Sequence, residues 1–239
     1  MKFKAHAGGV RTPSKLTTTT GRGRLSAAAT SKYSAMMILR STAASPFGRK
    51  VRIAAAILGL TEKIELREAD LNDPKDSLRA QNPIGKIPTL IADDGEALYD
   101  SPVILDYLDH VAGGGRIIPT ESKARYAALR MQALCDGILD AGILLVYERR
   151  YRPPEMLVQL WVDRQADKVK RALDALEAAP PPLAANRLPD VGQITLACAL
   201  GYGDLRFAGA WRKDYPKLVA WLDQFAAQVP AFEATKANV

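Results

Sequence analysis

The chain has 239 residues, 48% of them apolar and 25% charged, which is enough for one large domain or two small ones around a sizeable core. A net charge of +7 suggests a nucleic-acid or membrane-surface partner, but residues 1–35 carry seven Lys or Arg and no acid. Taking these from the 33 Lys and Arg leaves 26 against 26 Asp and Glu, so the body from Met36 onward is formally neutral and the basic character belongs to the tail alone.

That tail, rich in Thr, Ser, Ala and Gly, holds no apolar run long enough for a signal-peptide core or a membrane span and is expected to be disordered. Three readings compete for it: an organellar transit segment, a nucleic-acid-binding arm, or residues upstream of the working start. Met36 and Met37, directly before the first apolar run, favour the last, and the nucleic-acid arm is the weakest of the three.

"MMILRS" (36–41) is a short apolar run suited to a buried strand, and Pro46 opens a helix with an apolar stripe of Val51, Ala54, Ala55 and Leu58. Gly59 supplies the left-handed stop and Leu60 the apolar residue after it. "KIELREA" alternates Ile64 and Leu66 with charge, the period-two mark of a second strand. After a short polar helical connection, "IPTLIADDGEALYD" reads as two strands around Asp94-Gly95, a pair that favours a type I′ turn. "SPVILDYLDHV" then predicts a helix capped by Ser101, with Pro102 at its first position.

From Glu121 the pattern is helical. Tyr126, Arg130, Leu134, Ile138, Ala141 and Leu145 predict one face of a long helix, with Gly137 and Gly142 allowing close approach of a neighbour. Val162, Ala166, Val169, Leu173 and Leu176 mark the next helix, and "APPPLAANRLP" breaks the chain. Asp190 and Gln193 form a capping-box pattern before "ITLACALGY", which is too short to span a membrane and reads as a buried central helix. Leu218, Trp221, Leu222 and Phe225 define the last amphipathic helix.

Ser45, at the mouth of the first helix, is the residue with the most chemistry to explain. As a hydrolytic nucleophile it would need a base, yet no GxSxG elbow surrounds it, and His110, the one histidine of the body, is better explained as a helix C-terminal residue. A redox centre would need a cysteine at the helix N-terminus, and residues 36–115 contain none. Cys135 and Cys198 form no CxxC, lie in apolar helical patterns and read as small buried hydrophobes, as suits a reducing, cytoplasmic location. Organellar import through the basic tail stays open beside that expectation. Ser45 is then a helix N-cap, a hydrogen-bond donor to a ligand, or both.

"SPFGRKVRIAAAILGL", "NPIGKIPTL" and "LYDSPVILDYL", in this order and spacing, resemble the cytosolic glutathione transferase family, closest to its serine-bearing bacterial and tau-like branches. "GILDAGILLVYERR" and "LACALGYGDLRF" resemble the helical second domain of the bacterial branch. The resemblance implies an α/β plus all-α fold: a thioredoxin-like N-terminal domain with a mixed four-stranded sheet over 36–115, then an all-helical domain over 121–239. It implies glutathione as co-substrate, no metal, a hydrophobic electrophile and a homodimer, with no membrane or nucleic-acid partner. Ser45 becomes the donor to the glutathione thiol, with Phe47, Lys86, Ile87, Pro88, Asp100 and Ser101 as glutathione-binding residues and Pro88 in the cis form. Ser41 and Thr42 are alternative thiol donors, and Tyr147, Arg150, Tyr151 and Trp211 are candidates for the electrophile pocket. Two departures stand out: the N-terminal tail, and Ala44 where some relatives carry a hydroxyl. A glutathione-transferase-like binding or regulatory protein with little turnover is the alternative function. For Arg49, Lys50 and Arg52 a phosphate patch competes with a solvated face or an interdomain contact.

Overall fold

The computed structural model describes residues 36–237; the expectations for residues 1–35 lie outside it. Four strands form one mixed sheet: β1 (Met37–Ser41), β2 (Ile64–Glu68), β3 (Thr89–Ile91) and β4 (Ala97–Leu98), in the order β2-β1-β3-β4. β1 runs parallel to β2, and the helix α1 (Pro46–Ile57) makes the crossover that a parallel pair requires. β1 and β3 are antiparallel with Arg40 opposite Thr89, and β3 and β4 are antiparallel with Leu90 opposite Leu98. This is the expected thioredoxin-like sheet unit.

Local sequence explains α1 at both ends. Pro46 sits in the first turn, and the Ser45 side chain caps it. At the other end Gly59 (φ +73°) turns the chain, while the Leu60 and Gly59 N–H groups reach back to the carbonyls of Ala55 and Ala56. A short helix α2 (Leu78–Gln81) and a longer α3 (Ser101–Val111) complete this half.

Two predictions for this half, the hairpin turn type and the cap of α3, need correction. The hairpin between β3 and β4 is not type I′. The Gly95 N–H bonds the Ala92 carbonyl, only Gly95 of the loop has positive φ, and the result is a type I turn followed by a left-handed glycine. Leu66 is 52% exposed, because β2 is an edge strand. Asp100, not Ser101, holds the cap position of α3; Ser101 is its first helical residue, and the cap makes no side-chain hydrogen bond. Ser41 is fully buried and packs closely against Gly48 of α1, where an added Cβ would lie 1.8 Å from the Ser41 Oγ.

The helical half comprises α4 (Ser122–Tyr151), α5 (Gln159–Ala178), α6 (Val191–Phe207), α7 (Pro216–Gln228) and α8 (Ala231–Ala234). α6 is the core: every residue from Ile194 through Tyr202 is buried, and Asp190 and Gln193 make both hydrogen bonds of the predicted capping box. The buried row of α4 is Ala128, Gln132, Cys135, Leu139 and Gly142, whereas Tyr126 is 68% exposed. The predicted row starts on the exposed side at Tyr126, and its four-residue steps drift about 40° around the helix each time, so that it reaches the buried face only at Ile138. Gly137 faces open space, while Gly142 does meet Tyr202 and Phe207. No helix among the described residues is long and apolar enough to cross a membrane.

Candidate functional site

The strand register gathers three loops at one end of the sheet. β1 ends at Ser41 and leads into Ser45; Thr89, opposite Arg40, begins β3 just after Lys86, Ile87 and Pro88; β4 ends beside Leu90 and leads through Tyr99 to Asp100 and Ser101. The predicted glutathione residues thus share an edge. The Ile87–Pro88 peptide bond is cis, as the resemblance implies.

Ser45 is 8% exposed, and its Oγ accepts the Gly48 N–H at 3.1 Å. The hydroxyl therefore caps the helix as an acceptor and keeps its own proton to donate. Phe47 and Thr42 are half-buried, Lys86 and Asp100 exposed, Pro88 and Ser101 buried. The first-turn N–H groups of any helix have no intrahelical partner, and in α3 those of Ser101 and Val103 receive no side-chain cap either, while Pro102 carries no N–H.

Sequence reasoning missed the supports of these loops. Asn82, 1% exposed, donates from Nδ2 to the Lys86 carbonyl (2.9 Å) and Thr89 Oγ1 (3.2 Å), and accepts the Ile84 N–H at Oδ1. Arg40 ties β1 to the α2 region through Ser77 Oγ, Gln81 Oε1 and Asp76 Oδ1 at 2.7–2.8 Å. Backbone N–H groups of Leu78 and Asp70, with Arg40 behind them, hold the Asp76 carboxyl below the usual range. A polar side chain inside a strand, as at Arg40, or the Asn of an "NP" pair, as at Asn82, is the only sequence signal for such braces.

The three cations of α1 each reach residues of the helical half. Lys50 pairs with Asp136 of α4 at 2.5 Å. Arg49 donates to the Phe232 carbonyl (2.5 Å) and Thr235 Oγ1 (3.3 Å) and stacks over the Phe232 ring at 4.1 Å; Arg52 donates to the carbonyls of Ala43 and Thr235. Cys135 and Cys198 are free thiols with no exposed surface, and burial pushes the Cys198 thiol up to about 11. Among the described residues no cluster of His, Cys, Asp or Glu is arranged to hold a metal.

A cavity of about 310 Å³ opens beside Ser45, walled by the Ala43–Pro46 turn, α6, α7 and the α8 region. The four electrophile-pocket candidates are not brought together there. Tyr147 and Tyr151 stand exposed, edge to face at 5.3 Å with Arg150 over Tyr147. Trp211 is buried, donates Nε1 to Asp204 at 2.9 Å and borders a separate apolar cavity between α4, α5 and α6.

A thioredoxin-like sheet unit with a capped serine at its first helix, followed by a helical unit built on a buried central helix, is the architecture of the glutathione transferases. Residues 39–116 match the family pattern for the glutathione S-transferase N-terminal domain, and residues 159–224 that for the C-terminal domain. The uncharacterized GST-like protein YibF of Escherichia coli (strain K12) is 34% identical over 179 residues, 73% of this chain and 86% of that protein. A glutathione transferase family member from Pseudomonas fluorescens Pf-5, solved with bound glutathione, is 41% identical with TM-score 0.78 over 85% of this chain and all of that one. A structure of a Pf-5 family member with bound S-(propanoic acid)-glutathione gives 40%, 0.75, 84% and 100%. The chain belongs to the glutathione S-transferase family.

Proposed function

We propose that the chain binds glutathione at the Ser45 end of its sheet and uses the bound thiolate to attack an electrophilic small molecule, by conjugation or peroxide reduction. The observation that carries this reading is the Ser45 hydroxyl, nearly buried at a helix N-terminus, its acceptor function met by Gly48 and its proton free. A thiol near pKa 8.5–9 is mostly protonated at pH 7; lowering that by about two pH units requires about 2.7 kcal/mol of preferential thiolate stabilisation. One hydroxyl donor together with a helix N-terminus supplies that order of magnitude. Ser45 donates and does not attack, so no histidine base is needed.

The remaining residues hold the tripeptide. Ile87 offers main-chain N–H and C=O to the cysteinyl unit, the open first turn of α3 at Ser101 receives the γ-glutamyl carboxylate, and Asp100 faces the ammonium. Phe47 and Lys86 flank the site. Bound glutathione and S-(propanoic acid)-glutathione in the Pseudomonas relatives support both the ligand and a thioether product. Residues 36–115 and 121–239 are the two domains of this reading. Exposed Val103 and Val111 on α3 and Tyr126 and Leu134 on α4 support pairing of two copies through these helices.

Retention on immobilised glutathione, followed by a panel of aryl halides, enones and hydroperoxides, tests the reading. Retention with glutathione-dependent turnover of at least one class is expected. Failure to bind glutathione would overturn it, and binding without any turnover would leave a binding protein.

A further inference from the structure

None of Lys86, Ile87, Pro88, Asp100 or Ser101 lines the cavity beside Ser45. A molecule held in it would lie next to Ser45, and its walls are not those of a hydrophobic pocket. Arg49, Asp204, Arg212, Asp223, Glu233 and Lys236 all border it. The acids are largely answered by other cations. Asp204 takes the Trp211 indole N–H and two hydrogen bonds from Arg212 (2.8 and 2.7 Å); Glu233 pairs with Lys236 at 3.6 Å; Asp223, exposed at the rim, acts on Arg212.

Arg49 is the exception. It is 8% exposed and forms no ion pair among the described residues; Nε and Nη2 are held by Thr235 Oγ1 and the Phe232 carbonyl, and Nη1 has no hydrogen-bond partner among those residues. Gly201 makes room for that nitrogen, since a Cβ there would lie 2.6 Å from Nη1. Burial lowers the affinity of this guanidinium for its proton, while Cys198, Glu233 and Asp204, in that order, offset only part of the cost. A charge left in that state is stabilised by a bound counter-ion that completes its hydrogen bonds.

We infer that the cavity selects electrophiles carrying a carboxylate, bound through Arg49. This rests on the glutathione reading above and names the class of its second substrate. In an aryl halide of this kind the glutathione sulfur bonds to the ring carbon, chloride leaves with the bonding pair, and the thiol proton passes to solvent.

Calorimetric binding of two product analogues to the full chain separates this inference from the reading beneath it. S-(2-carboxyethyl)glutathione is expected to bind about tenfold more tightly than S-propylglutathione, as a charge-assisted hydrogen bond to a buried cation implies. The preference should fall to within about threefold in Arg49→Gln and survive in Thr235→Val, which loosens the Arg49 contact with the α8 region but keeps the cation. If Arg49→Gln fails to fold, the comparison of 4-chloro-3-nitrobenzoate with its methyl ester on the unaltered protein decides: a higher kcat/KM for the acid, relative to the uncatalysed rates, is expected. Equal binding of the two analogues, or equal use of acid and ester, overturns the inference while glutathione binding stands. Failure of both analogues to bind overturns the glutathione reading and this inference with it.

Discussion

The Nζ of Lys50 lies 2.5 Å from Oδ1 of Asp136, and the Lys50 side chain has no exposed surface. Lys50 belongs to α1, one turn beyond Ser45; Asp136 belongs to α4, so a buried ion pair joins the sheet half to the helical half beside the site. Removing one partner leaves the other charge buried without an opposite. Lys50→Met and Asp136→Asn should each cost about 3 kcal/mol, while Lys50→Met with Asp136→Leu should recover most of it. Urea midpoints at constant m-value measure this. The pH dependence has a defined sign. Burial pushes the Asp136 carboxyl up and Lys50 opposes it, so without Lys50 it rises further. A carboxyl raised above its unfolded pKa favours the fold at low pH and loses that contribution as pH increases through the folded value. The Lys50→Met deficit should therefore be larger at pH 7 than at pH 4.

Asp76 behaves in the opposite way. Its carboxyl is held down by the Leu78 and Asp70 N–H groups and Arg40, so the stability it contributes is present above the unfolded carboxyl pKa and lost as pH falls through the folded one. Urea titrations below pH 4 should show a steeper loss in the native chain than in Asp76→Asn.

Gly48→Ala should disrupt the start of α1, because the new Cβ meets Ser41 Oγ at 1.8 Å and Ser41 Cβ at 3.1 Å. Both stability and glutathione affinity should drop. Ser41→Gly in the same chain should restore more of each than Ser41→Ala, which keeps the second contact. Denaturation and calorimetry on the three variants check the order.

Asn82→Ala should destabilise the loop before β3 by about 1–3 kcal/mol, since the partners of its buried amide lose their hydrogen bonds. If that loop presents Ile87 to glutathione, the dissociation constant rises as well. An unchanged constant in the folded variant would remove Asn82 from the site's support.

Both thiols should resist a disulfide reagent at pH 8 in the native chain and react fully on unfolding, because each is buried and the Cys198 thiol is pushed up to about 11. Timed thiol release with and without denaturant checks this.

What was legible in the sequence was local. The α1 stop at Gly59 and Leu60, the Asp190–Gln193 box and the α7 stripe are each written within a few residues, and each forms as expected. The buried row of α4 was not legible, because a thirty-residue helix permits several rows of similar apolarity and its packing against α5 and α6 decides among them. Nor were the partners of Arg40, Arg49 and Lys50, which lie 28 to 186 positions away in the chain. At the site the sequence marked Ser45, Pro88 and Ser101, while Asn82, the cap position of Asp100 and the charged cavity came only with the fold.

The role of Ser45 is tested most directly by titrating the ultraviolet absorbance of the thiolate of bound glutathione in the native chain, Ser45→Ala and Thr42→Val. The native chain and Thr42→Val should show a thiol pKa about two units below that of free glutathione, and Ser45→Ala a value close to free. A lowered pKa that persists in Ser45→Ala would contradict the account.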